Sequence, residues 1–263
     1  MHSCSRLYTA SDRYNRSMDH HAVAAISIAG ICLDLLGGLY LAYDLLGGQH
    51  GPLRLLTRMV TYSIVFGVGY GIGLNFFFGV VSGVATGVTV AMELNRTSRT
   101  HGHYPLPVEA LFSAIRGCAF GAGLYRTLGF EYAATFALLM TAGQIFAYAR
   151  GVRPGVDYSA SRRPRFTHRQ ITGTIVRSIG NTAAALICSA LVHVDHPWAI
   201  AIRLGLVSGV VTAVGITFNP FIEYYADNLP ERRLGVFGIW LVFCGFILQS
   251  VQYWVAILDI PVT

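Results

Sequence analysis

Residues 57–94 read TRMVTYSIVFGVGYGIGLNFFFGVVSGVATGVTVAMEL, and the only charged side chains in this stretch, Arg58 and Glu93, lie near its ends. A single helix over these residues would be about 57 Å long, roughly twice the ~30 Å hydrocarbon core of a bilayer. The apolar pattern is interrupted only at residues 73–75 (GLN). The sequence therefore predicts two spanning helices joined by a tight turn, with a re-entrant pair as the alternative.

The composition of the whole chain agrees with a membrane protein. Of the 263 residues, 54% are hydrophobic and 12% are charged. Soluble domains carry roughly a quarter charged residues, so this chain has about half the usual number, and a soluble fold of its size would need more polar surface. The mean hydropathy is +0.52, and the 29 glycines lie mostly inside apolar runs. We therefore expect an all-α, polytopic bundle of transmembrane helices.

A scan for segments of about 20 apolar residues predicts eight spans. They are residues 22–46, 57–74, 76–94, 107–124, 130–149, 171–192, 198–222 and 234–257. The predicted organisation is a polar tail (1–21), a first membrane half (22–149, with span 5 opening the second repeat at about 130), an Arg-rich loop (150–170) and spans 6–8 (171–263).

The arginines predict the orientation, because cytoplasmic loops carry an excess of positive charge. Six of them fall in residues 150–170, which places that loop in the cytoplasm and, with eight spans, both termini outside. A multi-pass protein of the plasma (inner) membrane is the expected localisation. The tail residues Arg6, Arg13 and Arg16 disagree with this orientation, and a start at Met18 would remove them.

Two halves of the chain resemble each other. Residues 79–84 (GVVSGV) recur as residues 205–210 (GLVSGV), and Cys118 and Phe120 match Cys244 and Phe246 at the same 126-residue offset. The pair 42–43 (AY) recurs at 147–148. Because each half would hold four spans, both halves would point the same way across the membrane, as in transporters built from parallel repeats. Chance similarity between Gly- and Val-rich helices is the alternative explanation.

Glycines recur every four residues on two of the predicted spans. They are Gly79, Gly83 and Gly87 on span 3, and Gly205 and Gly209 on span 7. Residues four apart share a helix face, and glycine allows two backbones to approach closely in lipid. The stripes therefore predict faces of close helix packing.

Ionisable residues near the middle of a bilayer are costly and are functional candidates by default. Asp34 lies at the midpoint of span 1 and Arg116 at the midpoint of span 4, so we expect them to pair. Arg177, Asn181 and Gln144 complete the candidate substrate or ion site, in which Asp34 would bind a cation or proton. The alternative is a static buried pair that fixes helix register. Charges nearer the helix ends, including Arg58, Glu93 and Glu109, are expected to reach the lipid headgroups.

Several other classes of protein are disfavoured. The chain contains no lysine, which excludes a Walker A or Schiff-base lysine. No mid-span histidine or pair of carboxylates at one depth supports hydrolytic chemistry, so we expect no enzyme activity. The five cysteines form no CxxC pattern, and we predict neither a metal site nor a cofactor. The basic pI reflects topology and does not indicate nucleic-acid binding.

The sequence thus favours a small transporter or channel with a polar site at the membrane midplane. Its expected partners are the lipid bilayer, a small solute or ion, and a second copy of the chain or a partner membrane subunit. The alternative is a non-catalytic membrane scaffold that packs other subunits through its glycine faces.

Overall fold

The computed structural model describes residues 20–45, 53–100, 104–151, 168–192, 196–228 and 231–257, and every regular element in them is a helix. The helices are α1 (His20–Leu45), α2 (Arg54–Gly73), α3 (Phe76–Thr100), α4 (Leu106–Ala149), α5 (His168–Val192), α6 (Pro197–Asn228) and α7 (Glu231–Ile257). All seven are long and apolar enough to cross a membrane. The chain is therefore an all-helical, multi-pass membrane protein, as the composition predicts. The N-terminal tail, most of the Arg-rich loop and the turn at 193–195 lie outside the described residues.

The predicted tight turn between α2 and α3 is confirmed. Only Leu74 and Asn75 separate the two helices. The Asn75 side-chain oxygen accepts a hydrogen bond from the backbone N–H of Phe78 at 2.8 Å, which satisfies one of the orphan donors in the first turn of α3. Leu74 N–H donates to Tyr70 O at 2.9 Å, closing the end of α2. A two-residue turn with both helix ends capped turns the chain back on itself.

The glycine stripe of α3 faces α2. A Cβ atom at Gly79 would lie 2.6 Å from the backbone oxygen of Gly67, and one at Gly83 would overlap the Gly67 backbone. Real Cβ atoms do not approach other atoms so closely, so the two backbones are in direct contact along this stripe. The equivalent stripe of α6 faces α5, where Gly205 and Gly209 lie against the side chains of Thr182 and Ser178.

Two of the predicted spans, 107–124 and 130–149, belong to one element in the structure. Helix α4 runs over both, but its backbone leaves the helical region at Gly129, with φ 83° and ψ 171°. Beyond this break the chain folds back: a Cβ at Gly117 would lie 2.7 Å from Ala137 O, and one at Gly121 would lie 2.7 Å from Ala133 O. We call residues 106–128 and 130–149 arms α4a and α4b. These arms cover the two apolar segments from which the sequence predicts two spans.

The chain forms two compact units. In one, α1 packs against α7 in antiparallel register, with glycines at the crossing: a Cβ at Gly37 would lie 2.6 Å from Gly238 O, and one at Gly30 would lie 2.7 Å from Gly245 O. The other unit contains α2 to α6. Its core is built from large aromatic side chains that are almost fully buried; they include Tyr62, Phe66, Tyr70, Phe78, Phe120, Tyr132 and Phe136.

Candidate functional site

Arg116 is the centre of a buried charged cluster in the larger unit. This residue is only 4% exposed. One guanidinium nitrogen, Nη2, lies 2.6 Å from Oε1 of Glu109, which precedes Arg116 on α4a, and Nη1 lies 2.8 Å from Glu93 Oε1 on α3. A buried guanidinium is tolerated in a low-dielectric interior when it is paired and hydrogen-bonded. The cluster therefore ties α3 to α4a through charge.

Three neutral groups complete the hydrogen bonding of this guanidinium. Nε donates to Gln144 Oε1 at 3.0 Å, Nη1 donates to Thr89 Oγ1 at 3.4 Å, and Nη2 donates to Ser113 Oγ at 3.4 Å. Together with the two carboxylates, these acceptors account for all five N–H donors of an arginine side chain. Since Gln144 belongs to α4b, the arginine also joins the two arms of α4.

Arg116 and Asp34 each have a partner within their own compact unit. Arg116 is paired with Glu93 and Glu109, whereas Asp34 Oδ2 accepts a hydrogen bond from the side-chain amide of Gln249 on α7. The other oxygen, Oδ1, is buried and has no hydrogen-bond partner among the described residues. Depth along a helix can be read from sequence, but the direction in which a side chain points relative to other helices cannot, and the expected pair depended on that direction.

Two groups that were expected at the headgroup level are buried in the protein. Glu109 is 3% exposed and Arg58 is 5% exposed. Arg58 Nη1 donates to Asn95 Oδ1 at 3.4 Å, across the α2–α3 hairpin. Both residues lie near helix ends, as predicted, but neighbouring helices cover their side chains.

A cavity of about 410 Å³ opens beside the cluster, between the two arms of α4 and helix α5. Three of the predicted site residues, Arg116, Gln144 and Asn181, line it. At two lining glycines, Gly143 on α4b and Gly180 on α5, an added Cβ would meet no atom within 4 Å, so the helices stand apart there. This open spacing contrasts with the backbone contacts between α2 and α3.

Two carboxamides supply hydrogen-bonding groups to the cavity. Within the part of the chain that the structure describes, the amide nitrogen of Gln144 and the side chain of Asn181 have no hydrogen-bond partner, although Gln144 Oε1 is held by Arg116. Most of the remaining lining is apolar; it includes Leu139, Met140, Phe146, Val176 and Ile179. Near the end of α4b, the hydroxyl of Tyr148 donates to Tyr104 O at 2.5 Å and so joins the two ends of the α4 hairpin.

Two further arginines, Arg203 and Arg177, lie on α6 and α5. Arg203 on α6 donates to Gly73 O at 3.2 Å and to Leu74 O at 3.3 Å, so it binds the free carbonyl groups at the end of α2. Cations at a helix C-terminus are stabilised by these groups and by the helix dipole. Arg177 lies on α5, but its side chain is outside the described residues.

Sequence reasoning missed Glu93 and Glu109 as members of the cluster. One signal was present: Glu109 and Arg116 are seven residues apart, which places them on the same face of a helix. No comparable signal links Glu93 to Arg116, because they lie on different helices. The site combines a fully bonded guanidinium, two carboxamides and an apolar cavity, an arrangement suited to binding a small molecule. Comparison with protein families, with curated proteins and with solved structures finds no match to this chain.

Proposed function

We propose that the chain is a small membrane transporter whose solute site is the cavity between α4a, α4b and α5. The observation that carries this proposal is the cavity itself, about 410 Å³ in volume and lined by Arg116, Gln144 and Asn181. Ligand pockets typically enclose about 300–1,000 Å³ and combine an apolar lining with a few polar groups. Both properties are present here.

The position of the cavity along the helices supports a route from one side of the membrane. Arg116 lies about 15 Å along α4a from Leu106, which is about half of a ~30 Å hydrocarbon core. Arg150, at the other end of the cavity lining, is exposed and is the first residue of the predicted Arg-rich loop. By the positive-inside rule that side is the cytoplasm. The cavity is then a cytoplasmic vestibule that reaches the membrane midplane, in a protein of the plasma (inner) membrane with both termini outside.

Eight crossings are part of the proposal. Arms α4a and α4b are about 34 Å and 30 Å long, so each is sufficient to cross the hydrocarbon core by itself. The reversal at Gly129 returns the chain to the side from which α4a started. In this proposal the arms are counted separately, which gives eight crossings, and because α4a crosses the membrane and α4b returns, Leu106 and Arg150 are on one side.

A duplicated architecture is also supported by the contact registers. With the 126-residue offset, Gly121 is equivalent to position 247. With the 105-residue offset between the two AY pairs, Ala133 is equivalent to position 28. Gly121 and Ala133 are in contact in the α4 hairpin. Helices α7 and α1 are antiparallel, and they are in contact at Gly245 and Gly30. This contact lies two residues before position 247 on α7 and two residues after position 28 on α1. In an antiparallel pair, such a shift keeps the same register. The pair α4a–α4b thus corresponds to the pair α7–α1.

The candidate site breaks this proposed symmetry. The position equivalent to Arg116 is Val242, which packs against Gly37 in the α1–α7 pair. One helix pair is therefore closed by glycine and valine, whereas its counterpart carries a charged cluster and borders a cavity. A functional site added to one half of a symmetric scaffold has this form.

A scaffold that docks other subunits through its glycine stripes has less support. The stripe of α3 lies against α2, and that of α6 lies against α5, so both are used within the chain. Glycine faces that already contact a neighbouring helix do not offer the close approach that a docking partner would need.

Water access to the cavity tests the proposal. In a protein whose native cysteines are replaced, Gln144→Cys and Asn181→Cys should react with a membrane-impermeant thiol reagent applied from the cytoplasmic side. Leu138→Cys is the matched control, because Leu138 lies on the same arm, is 72% exposed and is absent from the cavity lining. We expect it to face lipid and stay unreactive. If both cavity positions are as unreactive as Leu138→Cys from either side, the cavity is dry and the transporter proposal fails.

Transport itself is tested by filling the cavity. Proteoliposomes with the wild-type protein should take up at least one member of a panel of labelled small solutes faster than proteoliposomes with Gly180→Leu, by about tenfold or more. Gly38→Leu is the matched control, since a Cβ at Gly38 also meets no atom within 4 Å but lies on α1. Equal uptake by the wild type and Gly180→Leu for every solute would contradict the proposal.

A further inference from the structure

We infer that the cavity binds a neutral, largely apolar molecule that carries a carbonyl or hydroxyl oxygen, and not a free ion. This inference rests on the proposed function, because it takes the cavity as the solute site. It specifies the class of solute from the hydrogen-bonding state of the groups that line the cavity.

Among the described residues, three charged side chains line the cavity: Arg116, Glu109 and Arg150. The first two are paired with each other. All five donors of Arg116 have acceptors, and two of these acceptors are the carboxylates of Glu93 and Glu109. A guanidinium in this state has no N–H left for an anionic ligand. Arg150 also lines the cavity, but it is exposed and its guanidinium carbon lies 4.9 Å from the centre of the Phe146 ring. Arg150 therefore lies at the mouth of the cavity and not at its deep end.

Arg116 orients the carboxamide of Gln144, which is still able to bind a ligand. Because its Nε donates to Gln144 Oε1, the oxygen of that carboxamide must point toward the guanidinium and the NH₂ group must point away from it. The two amide hydrogens of Gln144 are then available to a ligand in the cavity. Asn181, on the facing helix α5, adds a second carboxamide with both a donor and an acceptor. Arg116 acts here as a positioning residue.

The chemistry of this lining selects against ions. A charged ligand in a low-dielectric site needs an unpaired counter-charge or many dipoles. Among the described lining residues, the carboxylate of Glu109 is already paired with Arg116 at 2.6 Å, and the two neutral carboxamides supply neither. A carbonyl or hydroxyl oxygen, in contrast, is satisfied by one or two N–H donors. The apolar side chains that make up most of the lining then contact the hydrocarbon part of the same molecule.

The test uses three photoreactive probes of one chain length: diazirine derivatives of 1-octanol, octanoate and octylammonium. The purified protein is held in phosphatidylcholine nanodiscs, irradiated with each probe and digested, and labelled peptides are located by mass spectrometry. We expect the octanol probe to label α4b and α5 at residues that line the cavity, in a saturable manner that excess unlabelled 1-octanol suppresses. Octanoate and octylammonium should label these residues at least tenfold less.

Two variants report on the hydrogen bonds. Gln144→Glu keeps an acceptor for Arg116 but replaces the two donors by an acceptor, so it should weaken saturable octanol labelling by about fivefold or more and raise labelling by octylammonium. Asn181→Leu removes no bond within the described protein and should weaken octanol labelling by a few fold. Leu138→Ala, on the outward face of α4b, should leave labelling unchanged.

The outcomes separate the two proposals. Labelling that is non-saturable and equal for the three probes means that the cavity only collects acyl chains, as a lipid would supply, and overturns the inference. Saturable labelling by a charged probe, in preference to octanol, also overturns it but leaves the transporter proposal intact. Saturable octanol labelling without any solute uptake in proteoliposomes would support the binding site while contradicting transport.

Discussion

Replacing Arg116 by methionine removes five hydrogen bonds, two of which are ion pairs, while keeping a long, unbranched side chain in the same space. Glu109, which is 3% exposed, then loses its cationic partner. Removing one partner of a buried ion pair typically costs about 3–5 kcal/mol, because it leaves an uncompensated charge. We therefore expect Arg116→Met to lower the free energy of unfolding by about 3–5 kcal/mol.

The magnitude depends on the charge that is left behind, and a double variant tests this cause. In Arg116→Met/Glu109→Gln the abandoned carboxylate becomes a neutral amide, and coupled neighbours of this kind show interaction energies of about 0.5–3 kcal/mol. The double variant should therefore be more stable than Arg116→Met alone. Arg116→Lys keeps the charge but not the planar fork of five donors, and should lie between wild type and Arg116→Met.

The assay is reversible unfolding by SDS in mixed detergent micelles, followed by circular dichroism, with all variants compared in one detergent composition. A loss below about 1 kcal/mol for Arg116→Met, which is the range of a solvated surface pair, would refute the argument that the cluster is desolvated. So would a double variant that is less stable than Arg116→Met, because it would show that Glu109 is not the source of the cost.

Three further substitutions test the backbone geometry. Gly83→Ala places a methyl group into the backbone contact between α2 and α3 and should cost about 1–3 kcal/mol in the same assay, whereas Gly38→Ala, with open space around it, should cost nothing or stabilise slightly. Gly129→Ala should cost about 1–3 kcal/mol, because φ 83° and ψ 171° is a glycine-only conformation; Gly143→Ala, in open space on α4b, is its control, and equal stabilities would contradict the bend. Asn75→Ala removes the cap of α3 and should cost about 1 kcal/mol, most of which Asn75→Asp should restore; an Asn75→Asp protein as unstable as Asn75→Ala would argue against the cap.

The parts of the fold that follow from local chemistry were predictable. Length and hydropathy along the chain are sufficient to identify helices that cross a membrane, since every backbone polar group in hydrocarbon must be bonded within its own segment. The turn at 73–75 was also predictable, because one helix through residues 57–94 would be too long for the bilayer. Arg116, Gln144 and Asn181 could be selected as candidates because each is polar in an apolar segment.

The arrangement of the site was decided only by the tertiary structure. Sequence position determines how deep Arg116 lies along its helix, and this suggested Asp34 as its partner at a similar depth. The partners that it has, Glu93 and Glu109, follow from the packing of α3 against α4a. The cavity likewise exists because α4b and α5 stand apart at Gly143 and Gly180.

The glycines show the same difference between what the sequence determines and what the tertiary structure determines. The sequence by itself determined that this chain is a bundle of membrane helices with glycine along several faces, because hydropathy and helical periodicity are properties of neighbouring residues. It could not show which glycines would contact another helix and which would border open space. Gly83 lies against a backbone, whereas Gly180 borders a cavity. The difference lies in the distance to another helix, and that distance is set by the packing of the whole bundle.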